Sequence, residues 1–457
     1  MHSVSVPKVC IVGAGPAGYY TADSLLRLRP NIKIDFLERL PSPFGLVRSG
    51  VAPDHPEVKL VENRFSEISI DRRVRFFGNV EVGRELSVID LQDLYHVVVF
   101  AVGSMEDTKL GIPGEELRGV HSARDFVEWY NCYPDRKEEI FQFSGDSAVV
   151  VGNGNVAVDV ARILLRNPED LYPTDINMET IKALRNSNIK NVHVIGRRGP
   201  VQSAFTTKEL RELTKLSGIQ VVIDGGQLQL TESCIKERDS NRVIKRKMQL
   251  LEEIQKEQQK PSIQQKVIHL HFLKSPVSFK SNGSELESVV LRHNKLVGPP
   301  GKQKAVPTEA LQEIKTNLVF RSIGYRSVPI EGLPFNYEQG IIPNEMGHVI
   351  FPNSPNNCFF VSGWVKGGAS GTIGSTLLDA EETAQTIHSF MGSKLDILKE
   401  KEDVENLFKK HQMSWVNWND WKILDTMELQ KGKELGRLRT KFSSIQGMID
   451  ALRTVKS

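Results

Sequence analysis

The chain has 457 residues, 39% hydrophobic and 25% charged, with a formal net charge of +3 at neutral pH. That length suggests about two to three domains of an ordinary globular protein. The small net charge argues against nucleic acid or a membrane surface as the main partner, so electrostatic steering must come from a local patch. The four cysteines, Cys10, Cys132, Cys234 and Cys358, lie far apart without a CxxC pair. This removes a dithiol redox centre and the usual zinc spacings, and no metal site is expected. Cys10 and Cys358 sit in apolar runs and are expected to be buried. No apolar run nears the ~18 residues of a membrane span. The N-terminus reaches its first strand within a few residues, and no presequence of secretory or mitochondrial kind is visible, which leaves the address open.

In chain order, Lys8–Val12 (KVCIV) reads as a strand, followed by Gly13-Ala14-Gly15-Pro16-Ala17-Gly18 and an amphipathic helix over Ala17–Leu28. A second strand, Lys33–Leu37, ends on Glu38, 20 residues beyond Gly18 (38 − 18). In this arrangement Gly13 makes the tight turn, Gly15 lets the backbone approach a pyrophosphate, and Gly18 lets helix pack on strand. The diphosphate sits on the free N–H groups of the helix, and the carboxylate at the strand end accepts from a ribose. Next, Tyr95–Gly103 (YHVVVFAVG) reads as a strand returning beside the same cofactor.

A second unit of this kind follows. Ala148–Val151 (AVVV) is a strand, then come Gly152-Asn153-Gly154-Asn155-Val156-Ala157 and a helix over Val156–Leu165. The next strand, VHVIG at 192–196, is delayed by a helical insertion over Pro168–Asn188, read as a surface excursion. It ends not on an acid but on Arg197 and Arg198. A carboxylate there would repel the 2′-phosphate of NADP, whereas guanidinium forks bind it in bidentate fashion. The first unit therefore suits FAD and the second NADPH. Thr206-Thr207-Lys208-Glu209 fits a capping box. Residues 236–247, KERDSNRVIKRK, hold six Lys or Arg against two acids. Asn317–Gly324 (NLVFRSIG) is a return strand for the second unit. Cys358–Gly363 (CFFVSG) leads through Trp364 and Gly367–Gly374 (GGASGTIG) into a helix over Ser375–Phe390. Such a helix N-terminus offers a second anion or carbonyl-oxygen site.

The runs PFGLVRSGVAPDHPEVK, FFGNVEVGREL, IPGEEL, VGNGNVAVDVARILL, IGRRGPVQSAFTTKELREL and VSGWVKGGASG resemble the adrenodoxin reductase family, the mitochondrial-type ferredoxin–NADP reductases. The likeness covers almost the whole chain and is weaker in 225–310 and after about residue 395. It implies an α/β fold with two Rossmann-like dinucleotide-binding domains, the NADP domain (105–331) inserted into a discontinuous FAD domain (1–104 and 332–457). It also implies electron transfer from NADPH through FAD, singly, to a [2Fe–2S] ferredoxin.

Carried over by motif, the resemblance gives Ala17, Glu38, Leu46, Val82, Trp364, Gly371, Thr372 and Ile373 to FAD, with Gly13, Gly15 and Gly18. It gives Asn153, Gly154, Asn155, Val156, Arg197, Arg198, Glu209 and Gly371 to NADP. At 153 the family often has Gln, and the shorter Asn shifts the reach of the amide. Trp364 stands where many two-dinucleotide flavoproteins have an acid, which favours this family over the disulfide reductases. His55 and Asp159 are the candidates for a polar pair near the flavin, although His55 also reads as a helix start with Pro56 at N1. The acidic ferredoxin is expected on a basic patch around Arg211, Arg242 and Arg246, within the run Arg242–Lys247. A mitochondrial matrix address follows from the family, with a peripheral place at the inner membrane left open. The competing readings are a glutamate-synthase-like electron-transfer flavoprotein and a non-catalytic FAD- and NADP-binding scaffold.

Overall fold

The structure is a computed structural model describing residues 6–136, 141–258, 265–352, 354, 357–392 and 400–456. It divides into two compact units. The first comprises Met1–Glu106, Asn131–Arg136 and Gly324–Ser457, and the second Asp107–Tyr130 and Lys137–Ile323. The second is thus an insertion, in chain order, within a discontinuous first.

The first unit is built on a seven-stranded sheet ordered Asn344–Glu345, His348–Val349, Phe359–Val361, Val97–Phe100, Lys8–Val12, Lys33–Glu38, Val74–Gly78. Its central strands are parallel. Runs such as VVVF and VCIV are apolar at every position because both faces of a parallel sheet are covered. Alternate residues serve the two faces. Val9, Ile11, Ile34, Phe36, Val97 and Val99 enter a core with the helices Pro16–Leu28, Ile373–Gly392 and Trp418–Glu434. Cys10, Val12, Leu37, Val98 and Phe100 enter another with Val88–Leu94 and Val404–Lys410. Each such side chain removed from water contributes about 1.5–3 kcal/mol.

The second unit has a six-stranded parallel sheet ordered Val120–Ser122, Val319–Arg321, Ser147–Val151, Asn191–Ile195, Lys266–His271, Ile219–Ile223. One face carries the helices Ala123–Tyr130, Asn155–Leu165, Thr207–Leu213 and Arg242–Glu257. On the other, Val149, Val151 and Ile195 pack against an antiparallel sheet of Lys274–Asn282, Glu285–Val297 and Lys304–Lys315.

The structure departs from three expectations. The segment 168–188 is not a mere surface excursion: its helices Pro168–Leu171 and Met178–Arg185 bury Leu171, Ile181 and Leu184 in the main core. Cys358 is half-buried, while Cys10 is fully buried. The helix expected over Ser375–Phe390 runs over Ile373–Gly392.

Candidate functional site

In the first unit the strand Lys8–Val12 ends at Gly13, whose φ of +102° suits glycine, and a Cβ there would lie 2.6 Å from the Ala101 carbonyl oxygen. A Cβ on Gly18 would come 2.2 Å from the Gly13 carbonyl oxygen, so this position sets the helix–strand approach. Gly15 is the N-cap of Pro16–Leu28, and no side chain caps it. The first N–H groups of this helix are therefore left to an anion. Gly45, at φ +49°, keeps a second loop close: its Cβ would lie 3.0 Å from the Gly15 Cα. Phe44 N–H donates to the Ala14 carbonyl at 2.7 Å, locking the two loops together.

Glu38 accepts from the Ala14 N–H at 2.8 Å and the Leu40 N–H at 3.1 Å. Burial raises its pKa, and these backbone N–H groups oppose the rise. It stands at the strand end beside the glycine loop, a place from which a carboxylate can accept from a ribose. Around the same loop, a Cβ on Gly363 would fall 2.6 Å from the Ala17 Cβ. Trp364 stacks on Tyr325 at 5.7 Å and donates from Nε1 to the Ser370 carbonyl at 3.1 Å, pinning the glycine-rich turn. Gly371 has φ +88°, the Thr372 N–H donates to Ser375 Oγ at 2.8 Å, and Ile373 opens the long helix. Leu46 is 42% exposed directly after Gly45. Val82 is half-buried in a bridge to Leu86. The two interlocked loops, the uncapped helix and the strand-end carboxylate fit a flavin dinucleotide.

The second unit repeats the plan. Gly152 has φ +130°, and a Cβ there would lie 2.0 Å from the Ser322 carbonyl oxygen. Gly154 caps Asn155–Leu165 without a side-chain bond, and nothing stands within 4 Å of a Cβ built on it. Ala157 and Val156 follow in the first turn, Ala157 fully buried and Val156 packed on the core. Asn153 and Asn155 join this loop to the segment after the next strand. The Asn153 carbonyl accepts from the Ala204 N–H at 3.2 Å and the Phe205 N–H at 2.9 Å. Asn155 Oδ1 accepts from the Thr206 N–H at 2.9 Å. Asn153 Nδ2 is buried without a hydrogen-bond partner among the described residues. A donor orphaned beside an uncapped helix is what a nucleotide site leaves open.

Arg197 and Arg198 are both exposed, and neither guanidinium has a partner among the described residues. Their backbone is held instead: the Arg197 carbonyl accepts from Asn294 Nδ2 at 2.9 Å, and the Arg198 carbonyl from the Leu273 N–H at 3.0 Å. Two free guanidiniums on a fixed backbone suit a phosphate. Both orphan features fit NADP.

Asp159 pairs with Arg162 at 2.7 Å, and Arg162, 2% exposed, also meets Glu212 at 3.1 Å and Glu209 at 3.6 Å. The structure thus joins Asp159 and Glu209 through one buried arginine, a link the spacing did not reveal. The Glu209 N–H donates to Thr206 Oγ1 at 3.3 Å, the N-cap half of the expected capping box, while the Thr206 N–H donates to Asn155. His55 is the N-cap of Pro56–Lys59, with Pro56 at the first position, and its Nδ1 lies 3.3 Å from Glu57 Oε1. It belongs to the first unit and Asp159 to the second.

The charged run 236–247 is two helices, Glu232–Ser240 and Arg242–Glu257, the second capped by Asn241. Arg242 and Arg246 are exposed, and so is Arg211 on the adjoining Thr207–Leu213 helix. None of the three guanidiniums has a carboxylate partner among the described residues. Lys247 departs from the expectation for this run: it is 6% exposed and turned inward. No helix among the described residues is long and apolar enough to cross a membrane.

A family model described as pyridine nucleotide-disulphide oxidoreductase matches residues 7–353. The mitochondrial NADPH:adrenodoxin oxidoreductase of Arabidopsis thaliana is 40% identical over 463 residues, covering 97% of this chain and 95% of its own length. Its Bos taurus counterpart, also mitochondrial, is 40% identical over 98% of this chain and 92% of its own. The NADPH-ferredoxin reductase FprA of Mycobacterium tuberculosis is 39% identical over 96% of this chain and 98% of its own. A solved structure of Mycobacterium tuberculosis FprA in complex with NADPH superposes with a TM-score of 0.92 at 38% identity, covering 98% of this chain and all of that one.

Proposed function

Because the chain belongs to the adrenodoxin reductase family of pyridine nucleotide-disulphide oxidoreductases, we propose that it draws electrons from NADPH and delivers them singly to a [2Fe–2S] ferredoxin. It is an oxidoreductase that binds FAD and NADP. The observation that carries the reading is the pair of uncapped phosphate loops with opposite ribose readers, Glu38 in one unit and Arg197-Arg198 in the other. When bound, the flavin supplies the conversion of a two-electron hydride donor into single electrons.

The chain's own residues bind and orient. The Gly13–Gly18 loop and its helix hold the flavin diphosphate, Glu38 its ribose, and Leu46, Val82, Trp364 and Gly371–Ile373 the rest of it. The Gly152–Ala157 loop holds the nicotinamide dinucleotide, with Asn153 donating and Arg197 and Arg198 on the 2′-phosphate. His55 and Asp159 serve proton handling or the linkage of the two domains. We assign the first unit to FAD and the second to NADP. The mitochondrial names of several relatives support a matrix address, while mycobacterial relatives are equally similar.

The partner face is the basic surface of Arg211, Arg242 and Arg246, whose free guanidiniums suit an acidic ferredoxin. Charges across such a face chiefly raise the on-rate, and screening near 10 Å at 0.1 M salt removes the gain. Reversing Arg242→Glu and Arg246→Glu should slow NADPH-driven ferredoxin reduction, most at low ionic strength, while ferricyanide reduction and flavin content hold. Equal losses with dye and ferredoxin would indicate a flavin or folding defect and sink the docking assignment.

A further inference from the structure

The segment 196–206 carries Arg197 and Arg198 and is fastened at three places. At its start, the Arg197 and Arg198 carbonyls accept from Asn294 and Leu273. At its end, the Ala204 and Phe205 N–H groups donate to Asn153, and the Thr206 N–H to Asn155. Its middle is held by a side chain from another helix. Lys247, on Arg242–Glu257, sends Nζ to the Ser203 carbonyl at 2.5 Å and towards the Val201 carbonyl at 3.4 Å. The same ammonium lies 5.6 Å from the centre of the Phe205 ring.

We propose that Lys247 is a specificity-positioning residue for the 2′-phosphorylated coenzyme, tethering the loop that presents Arg197 and Arg198. The proposal rests on the reading of those arginines as the 2′-phosphate site. Val201 and Ser203 are buried, 1% and 6% exposed, so their carbonyls have little water to turn to if the ammonium is removed. Between the bonds at 197–198 and those at 204–206, Lys247 is the charged donor. Gln202 adds a second tie from its side chain, donating from Nε2 to Glu237 Oε2 at 2.9 Å and to Gln303 Oε1 at 3.2 Å. The two guanidiniums are exposed and have no partner among the described residues, so the backbone beneath them sets their spacing for a phosphate. A preformed pair binds without first ordering the loop, and that ordering would otherwise subtract from affinity. Burial lowers the Lys247 pKa to about 8, with Glu237 opposing and Arg198 adding to the shift. Either protonation state keeps N–H groups for the two carbonyls, so the tether does not depend on the charge.

The test is calorimetric binding of 2′,5′-ADP and 5′-ADP to the flavin-loaded protein. If Lys247→Met leaves the loop in its tethered form about a tenth of the time, 2′,5′-ADP binding weakens about tenfold while 5′-ADP changes by less than about twofold. Equal weakening of both ligands, or no weakening of either, overturns the proposal. If the Met variant does not yield folded flavoprotein, Lys247→Gln is measured against the same two ligands. It shortens the reach but keeps the polar end, and the same selective loss is expected. Native protein that binds 5′-ADP as tightly as 2′,5′-ADP would instead refute the reading of Arg197 and Arg198. That result is separate from any effect at Lys247.

Discussion

Arg197 and Arg198 occupy the place that Glu38 holds in the other unit, and on the proposed reading this exchange of one carboxylate for two guanidiniums separates the two coenzymes. Charge-assisted hydrogen bonds contribute roughly 1.5–3 kcal/mol each, about ten- to a hundredfold in affinity per arginine. Replacing both, Arg197→Ala with Arg198→Ala, should raise the KM for NADPH by at least about a hundredfold on that scale and leave the KM for NADH far less affected. Steady-state kinetics with the two coenzymes checks this; equal losses would make the pair structural. The strands and glycine loops that place these residues were legible in the sequence, and the proposed roles follow from that local pattern. Lys247 was not legible in this way. It stands 44 residues from Ser203 (247 − 203), inside a run of charges that reads as one solvated surface. Only packing shows that one of those charges turns inward.

At the scale of elements, the helix Trp418–Glu434 reaches back to the loop at 44–46. Arg48, which follows that loop and is 5% exposed, meets Glu428, 1% exposed, at 2.6 Å. Arg48 also lies 5.0 Å from the Trp421 ring centre. Glu428 takes further bonds from Arg439 at 2.8 Å and from the Phe442 N–H at 3.0 Å. Removing one partner from such a set leaves buried charge uncompensated at about 3–5 kcal/mol. Glu428→Ala should therefore lower the melting temperature and the flavin content together, as thermal melts and the flavin-to-protein absorbance ratio would show. A variant with native melting and full flavin would contradict this role for the helix.

The second unit carries a histidine ladder. Strand register sets His193 opposite His269, with ring centres 4.4 Å apart, and His193 Nδ1 lies 3.0 Å from His271 Nε2. Burial, then His269 and His271, lower the His193 pKa to about 2, and burial, then His271, lowers that of His269 to about 4. Lys274 and Asp224 flank the ladder, Asp224 drawing the other way on both histidines. Folded pKa values below the unfolded value of about 6.5 mean that the unfolded chain takes up the protons first. Stability should be full above pH 6.5 and fall with acidification, on the order of 1–2 kcal/mol per imidazole between pH 7 and pH 5. Melts across that range check the slope, and His193→Gln should flatten it. The strands bearing this ladder were partly legible, but their register was not, because the pairing joins residues some 76 positions apart (269 − 193). The antiparallel sheet of 274–315 had a local signal, Asn282-Gly283, with Gly283 at φ +67° between two of its strands.

At the scale of the whole molecule, each unit has its own sheet and core and carries one phosphate loop. The discontinuous arrangement was legible because two glycine loops, each with its strand and helix, cannot share one sheet position. The C-terminal helices were not, since they carry no motif and their place depends on apolar faces meeting Phe44, Phe76 and the Pro16–Leu28 helix. One passage of electrons, from NADPH through the flavin to ferredoxin, is what the fold serves, and anaerobic stopped-flow absorbance follows it directly. Mixing the yellow, FAD-loaded protein with NADPH should bleach the flavin band rapidly, far faster than NADH does at equal concentration. Oxidised [2Fe–2S] ferredoxin added next should restore the band as the ferredoxin is reduced. A flavin that NADPH leaves oxidised, or a reduced flavin that ferredoxin does not reoxidise, would contradict the account.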